Sequence, residues 1–247
     1  EPLTKGVSGM FGIVGLVFQD FETQLFSTRV ELELAFGMEN RGMQRQAMQD
    51  EVKRLVALVG LKGFEQFAPA GLSGGQKQRL AIGSALAGVP QVLCLDEPTT
   101  DLDPVGKTGI FSLLRKFRTQ SQLPQEAGPA TIVIIEHETE EAVHADRIII
   151  LDQGRLVADG PPEQILPQVA MFEQFGLMPL PFCAYFNRLG FPAQGCPLTL
   201  TAAEAFFHRS GLRLEESCVK ELKARDVERS LAYGNEVIRT SGLRQSY

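Results

Sequence analysis

Residues 92–98, Val-Leu-Cys-Leu-Asp-Glu-Pro, constrain the fold more than any other stretch of this chain, because four apolar residues end in two adjacent carboxylates. The apolar run reads as a strand, and Asp96 and Glu97 stand at its end. Ser73 precedes Asp96 by 23 residues, inside the string Leu72-Ser73-Gly74-Gly75-Gln76. Ser-Gly-Gly in front of a helix expected from about Gln76 to Leu86 leaves backbone N–H groups and the positive helix end facing whatever is bound. The glycines let a phosphate approach closely. A strand-end carboxylate pair can hold a hard cation and polarise a water.

The rest of the chain supplies an α/β frame for these two strings. Ile13-Val14-Gly15-Leu16-Val17-Phe18 reads as a buried strand ending at Gln19. Apolar residues then recur at helical spacing from Val30 to Phe36 and from Gln44 to Val59, with Gly60 as the stop, so residues 28–88 are expected as a helical insertion. Strand signals return at Val92–Leu95, Thr131–Ile135, Ile148–Leu151 and Arg155–Ala158, between helical patterns at 105–118 and 138–145. Thr119–Ala130 reads as a polar surface loop.

Beyond Gly160-Pro161-Pro162 the prolines at 167, 179, 181, 192 and 197 give a linker-like reading. One short amphipathic helix is expected over Thr201–Ser210, with Ala202, Ala205 and Phe206 on one face and Thr199 or Thr201 as its cap. Residues 235–247 alternate again and read as a strand cut short.

Charge narrows the function classes. The net charge is −6, and all of it falls in residues 1–160, which argues against a nucleic-acid surface built on clustered Lys and Arg. No run approaches 18 apolar residues and no basic, apolar leader opens the chain, so no membrane span is expected. The four cysteines lie far apart without a Cys-x-x-Cys, and His137, His144 and His208 lack ligand spacing, so reduced thiols of a cytosolic protein are expected.

The string Leu72–Gln76 with Lys77-Gln78-Arg79, followed by Val92–Glu97, resembles the signature motif and Walker B strand of the ATP-binding cassette (ABC) ATPases. The resemblance implies ATP and Mg²⁺ as cofactors, with Asp96 holding the metal through water and Glu97 acting as general base. Gln19 matches the Q-loop glutamine, which senses the γ-phosphate through Mg²⁺. His137 matches the switch histidine, with Glu136 where threonine is usual. Pro98–Asp103 matches the D-loop, whose Asp103 would contact the phosphate loop of a partner cassette. Ser73, Gly74, Gly75 and Gln76 would meet ATP held by that second cassette, in the same chain or a separate subunit.

The phosphate-cradling pattern Gly-x-x-x-x-Gly-Lys-Ser/Thr has one near match, Asp101–Thr108. Asp101 stands where a glycine is needed, and Asp103 would set a carboxylate among the N–H groups that meet phosphate. The true loop is therefore expected upstream of Glu1, with this chain a fragment that hydrolyses ATP negligibly alone.

Gly15–Phe26, with Ala35–Asn40 after it, resembles a finer branch, the ATPases of energy-coupling factor (ECF) transporters. That implies a partner-binding role for Gln24, Leu25 and Phe26 toward a transmembrane component, and a peripheral place on the cytoplasmic face of the cell membrane. The cargo would be a vitamin or a metal ion. Several members of this branch carry two cassettes, and Val237–Tyr247 looks like the opening of a second, with Tyr247 stacking on adenine. The expected architecture is an α/β P-loop ATPase core at 1–27 and 89–160, incomplete at its N-terminus. A helical signature subdomain at 28–88, a linker at 161–234 and a possible second cassette from 235 to 247 complete it. Two alternatives are a degenerate partner cassette that lends its signature to another, and a non-transport ABC protein acting on ribosomes or DNA. The neutral, proline-rich stretch after 160 fits neither the basic linkers nor the long coiled coils of the latter.

Overall fold

The computed structural model describes residues 12–100, 102–120, 129, 131–213, 220 and 223–225. Asp101, the stretch 235–247 and Tyr247 lie outside the described residues. The chain divides into two compact units, residues 1–138 and 139–247.

In the first unit three parallel strands, β1 (Val14–Val17), β2 (Val92–Asp96) and β3 (Thr131–Ile135), lie in that order. Their register aligns Leu16, Cys94 and Val133 across the sheet and sets Asp96 opposite Ile135. Three helices, α1 (Val30–Glu39), α2 (Arg45–Leu58) and α3 (Gly74–Ala87), fall between β1 and β2, and α4 (Pro104–Gln120) falls between β2 and β3. One face of the sheet carries Val17, Leu93 and Leu95, which join Leu34, Leu80, Ile110 and Phe117 in a single buried cluster. The other face is open among the described residues, with Leu16, Val133 and Ile135 at 42%, 44% and 57% exposure. The reading of residues 13–18 as a buried strand therefore holds for one face only, because no described element of the first unit packs on the other.

Local chemistry sets the helix ends. Gly60 follows α2 with φ +69°, a left-handed turn that suits glycine. There the N–H of Leu61 donates to Val56 O at 2.9 Å and that of Gly60 to Ala57 O at 3.3 Å, the paired bonds of a Schellman stop. α3 begins two residues before its expected start because Ser73 and Gln76 form a capping box. Gln76 N–H donates to Ser73 Oγ, and Ser73 N–H donates to Gln76 Oε1.

The second unit holds an antiparallel hairpin, β4 (Ile148–Asp152) and β5 (Arg155–Gly160). Its two-residue turn has φ +46° at Gln153 and +75° at Gly154, the sense that matches strand twist. Arg147 grips Asp159 with two bonds of 2.6 and 2.7 Å. The short helices are α5 (Thr139–Ala142), α6 (Pro162–Ile165), α7 (Val169–Gln174), α8 (Pro181–Arg188) and α9 (Leu200–Arg209).

The stretch with the linker-like reading thus carries four helices over its described part, with Leu166, Phe172, Leu180, Cys183 and Phe186 buried. Proline misleads there because Pro162 and Pro181 occupy first turns, where a missing N–H costs nothing. In α9 Thr199 is the cap, accepting from Ala202 N–H, and the inward face is Ala203 with the half-buried Phe206 and Phe207. Ala202 and Ala205 face outward. The rotation follows from Phe206, whose ring packs 4.8 Å from Phe186 and 5.3 Å from Phe191. No helix among the described residues is long and apolar enough to cross a membrane.

Candidate active site

Three residues singled out from sequence meet on one atom. Glu97, immediately after β2, turns at φ +43°, and its N–H donates to Ile135 O at 3.0 Å at the end of β3. That turn aims its carboxylate back across the strand ends. Gln19, two residues past β1, donates from Nε2 to Glu97 Oε2 at 3.0 Å. His137, two residues past β3, brings Nδ1 to 4.0 Å from the same oxygen. Because neighbouring parallel strands end at one level, residues one or two past each end converge. Asp96, the last residue of β2, is half-buried beside them.

Sequence reasoning missed how the loop after β2 is fastened. Thr100 Oγ1 also donates to Glu97 Oε2, at 3.0 Å, and the 1%-exposed Thr99 donates to Glu136 Oε1 at 2.8 Å. The second oxygen of Glu136 is buried without a partner among the described residues. Burial pushes the Glu136 carboxyl above its ordinary range, although the Thr99 bond and nearby His137 pull the other way. Glu138 ties the same segment to α4 through Lys107 at 2.6 Å. The two threonines were visible in the string after Glu97, but nothing in their identity marked which carboxylate each would hold.

Asp103 caps α4: its Oδ1 accepts Gly106 N–H at 2.6 Å and its carbonyl accepts Lys107 N–H at 3.0 Å. The near match to a phosphate loop therefore begins a helix with a carboxylate, and its lysine is paired with Glu138. Gly74 and Gly75 form the first turn of α3 and lie against that start. A side-chain carbon built on Gly75 would stand 3.7 Å from Gly106 Cα, and one on Gly74 would stand 3.7 Å from Leu102. Lys77 holds the signature helix to the 3-10 turn Phe21–Gln24 through Glu22 at 2.8 Å.

Of the residues assigned to a partner surface, Gln24 is used internally. It accepts Phe18 N–H at 2.9 Å and donates to Leu16 O at 3.1 Å, bonding β1 as a neighbouring strand would. Leu25 packs partly into the core. Phe26 is 62% exposed and stands edge-on to the exposed Phe36 at 4.6 Å. Its backbone is held by Glu33, a buried carboxylate that accepts the N–H groups of Phe26 and Ser27 at 3.1 and 2.8 Å. No sequence pattern pointed to Glu33, since a single Glu in a helix reads as a surface residue.

Chemically, three groups gather on Glu97 Oε2, an arrangement that suits a carboxylate acting on a water through its other oxygen. The donor set fits a hard cation: the Asp96 carboxylate and the amide oxygen of Gln19 are oxygen ligands of the kind Mg²⁺ takes. For a nucleotide the fit is partial, because the described residues offer a signature turn and strand-end groups but no glycine-rich phosphate cradle.

Residues 9–100 match the family model described as ABC transporter. A putative ABC transporter ATP-binding protein of Caldanaerobacter subterraneus subsp. tengcongensis is 45% identical over 98% of this chain and 41% of its own length. An energy-coupling factor transporter ATP-binding protein of Lactobacillus delbrueckii subsp. bulgaricus is 43% identical over 71% of this chain and 60% of its own length. Among solved structures, cbiO1 from Clostridium perfringens, part of the ABC transporter complex cbiONQ, aligns with a TM-score of 0.61 and 28% identity. That alignment covers 76% of this chain and 71% of the other. The chain spans less than two thirds of the length of the two curated relatives.

Proposed function

This chain carries an ABC transporter ATP-binding domain with the α/β cassette fold, and we propose that the whole protein hydrolyses ATP to drive a membrane transporter of the energy-coupling factor type. The observation that carries this reading is the convergence of Gln19, Thr100 and His137 on one oxygen of Glu97. When bound, Mg²⁺ would neutralise charge on the phosphates and orient them. Asp96 and the amide oxygen of Gln19 would hold it. Glu97 Oε1 would take a proton from the attacking water, and His137 would face the γ-phosphate.

Ser73, Gly74, Gly75 and Gln76 would serve the site of a second cassette, to which Asp103 would couple. The exposed pair Phe26 and Phe36 supports docking of a transmembrane component at the cytoplasmic face of the membrane, with Gln24 and Leu25 fixing the segment that presents it. The resemblance of Gly15–Phe26 to the energy-coupling factor branch supports cargo of the vitamin or metal-ion kind as part of this proposal.

The test is steady-state ATP hydrolysis by the whole protein and its Glu97→Gln variant. Loss of a general base predicts a fall of about 10²–10⁴-fold with nucleotide binding retained; unchanged turnover would refute the assignment. The isolated chain should hydrolyse ATP negligibly. Turnover by this chain that disappears in Glu97→Gln would overturn that expectation.

A further inference from the structure

Two cysteines of the second unit share one acceptor. Cys183 lies on α8 with 1% exposure, and the half-buried Cys196 lies in the loop between α8 and α9. Both are free thiols, and each Sγ stands 3.9 Å from the carbonyl oxygen of Pro197. Burial, reinforced by the adjacent Cys196, holds the Cys183 thiol up at about 12, while Cys196 is raised by burial and partly offset by its bond with Cys183.

The loop that brings them together is anchored on both sides. Phe191 packs edge-on to Phe186 of α8 at 5.9 Å and against Phe206 of α9 at 5.3 Å. Cys196 N–H closes a turn onto Ala193 O at 3.1 Å, past Gly195 at φ +79°. Cys196 and Leu198 then pack on the small cluster of Val169, Leu180 and Cys183. The two sulfurs thus share one carbonyl and one small apolar cluster.

We propose that Cys183 and Cys196 are an oxidation site, closing to a disulfide that staples α8 to the following loop when the protein meets a hydroperoxide. In the first step the thiolate of the more accessible Cys196 attacks the outer peroxide oxygen. The O–O bond breaks, an alcohol (water, from hydrogen peroxide) leaves, and Cys196 becomes a sulfenic acid. Cys183 sulfur then attacks the Cys196 sulfur. The S–O bond breaks, and the hydroxyl leaves as water with the Cys183 proton. Two thiols are oxidised by two electrons and one peroxide is reduced. Because only the thiolate attacks, raised thiols make the step slow, so the pair is reduced at rest and closes under sustained oxidant.

The test uses the full chain and does not depend on its ATPase reading. Hydrogen peroxide is added, remaining thiols are alkylated under denaturing conditions, and the protein is digested with trypsin. Cleavage at Arg155, Arg188 and Arg209 separates Cys183, in peptide 156–188, from Cys196, in peptide 189–209. The expected result is these two peptides joined and two hydrogen masses lighter than their sum, with alkylatable thiols falling from the four present to two. A thiol reductant should reverse both changes, and the oxidised chain should melt at a higher temperature. In Cys196→Ser the joined peptides should vanish and Cys183 should alkylate fully. Recovery of Cys196 as sulfinic acid beside an unlinked Cys183, or linkage of either to Cys94 or Cys218, would overturn the proposal.

Discussion

Glu97 holds a backbone conformation that ordinary residues avoid, at a cost of about 1–2 kcal/mol. The Ile135 carbonyl and the side chains of Gln19 and Thr100 hold it there. Its neighbour Glu136 is the more sensitive probe of the loop, being fastened to Thr99 with one oxygen buried and unpaired. Burial raises its carboxyl in the folded state, so the folded chain keeps a proton where the unfolded chain has released it. The contribution to stability is therefore complete below the unfolded value, near pH 4.3, and is lost as pH rises through the folded value. Glu136→Gln keeps an acceptor for Thr99 and cannot ionise. Urea midpoints measured from about pH 4 to about pH 8 should fall more steeply in the parent than in this variant. Parallel curves would show that Glu136 does not titrate between the two states. Gln19, Glu97 and His137 were legible because each follows an apolar run whose end the sequence marks. Thr100 and Glu33 were not, since their roles depend on rotamers and loop path that no string of residue types encodes.

Packing between helices is the next scale. Gly83 of α3 is where α1 and the end of α2 come nearest. A side-chain carbon there would stand 2.9 Å from Leu34 Cδ2 and 3.0 Å from Val59 Cγ1. Both neighbours are at most 1% exposed, so neither can swing into water. Alanine normally improves a helix by about 1 kcal/mol over glycine. Here overpacking should win, and Gly83→Ala is expected to destabilise the chain by about 1–3 kcal/mol in urea unfolding; a gain in stability would mean that α1 yields freely. Strand positions were readable to within about two residues because apolar, β-branched runs such as Thr131–Ile135 have few other uses. The helices after residue 160 were hidden by prolines that start helices as readily as they end them. The face of α9 was misjudged because two aromatic rings outside it, Phe186 and Phe191, decide its rotation through Phe206.

For the molecule as a whole, the half-open sheet has a solution consequence. Leu16 on β1 and Val133 and Ile135 on β3, with the half-buried Cys94 of β2 between them, present an apolar stripe across the sheet. The isolated chain should bind an apolar dye and associate as its concentration rises. The double change Val133→Thr and Ile135→Thr should lower dye fluorescence severalfold without loss of far-ultraviolet strand signal; equal fluorescence would place the exposed apolar surface elsewhere. The same sheet also sets an order in time. Val14 pairs with Val92, so the contact that aligns Gln19 with Glu97 must close a stretch of 78 residues before its first hydrogen bond forms. The β4–β5 hairpin closes across two residues. Loop closure grows costlier with length, and non-local pairings form late. The β4–β5 hairpin, synthesised after the catalytic strand ends, is therefore the quicker to take shape, and those strand ends are the slower to assemble.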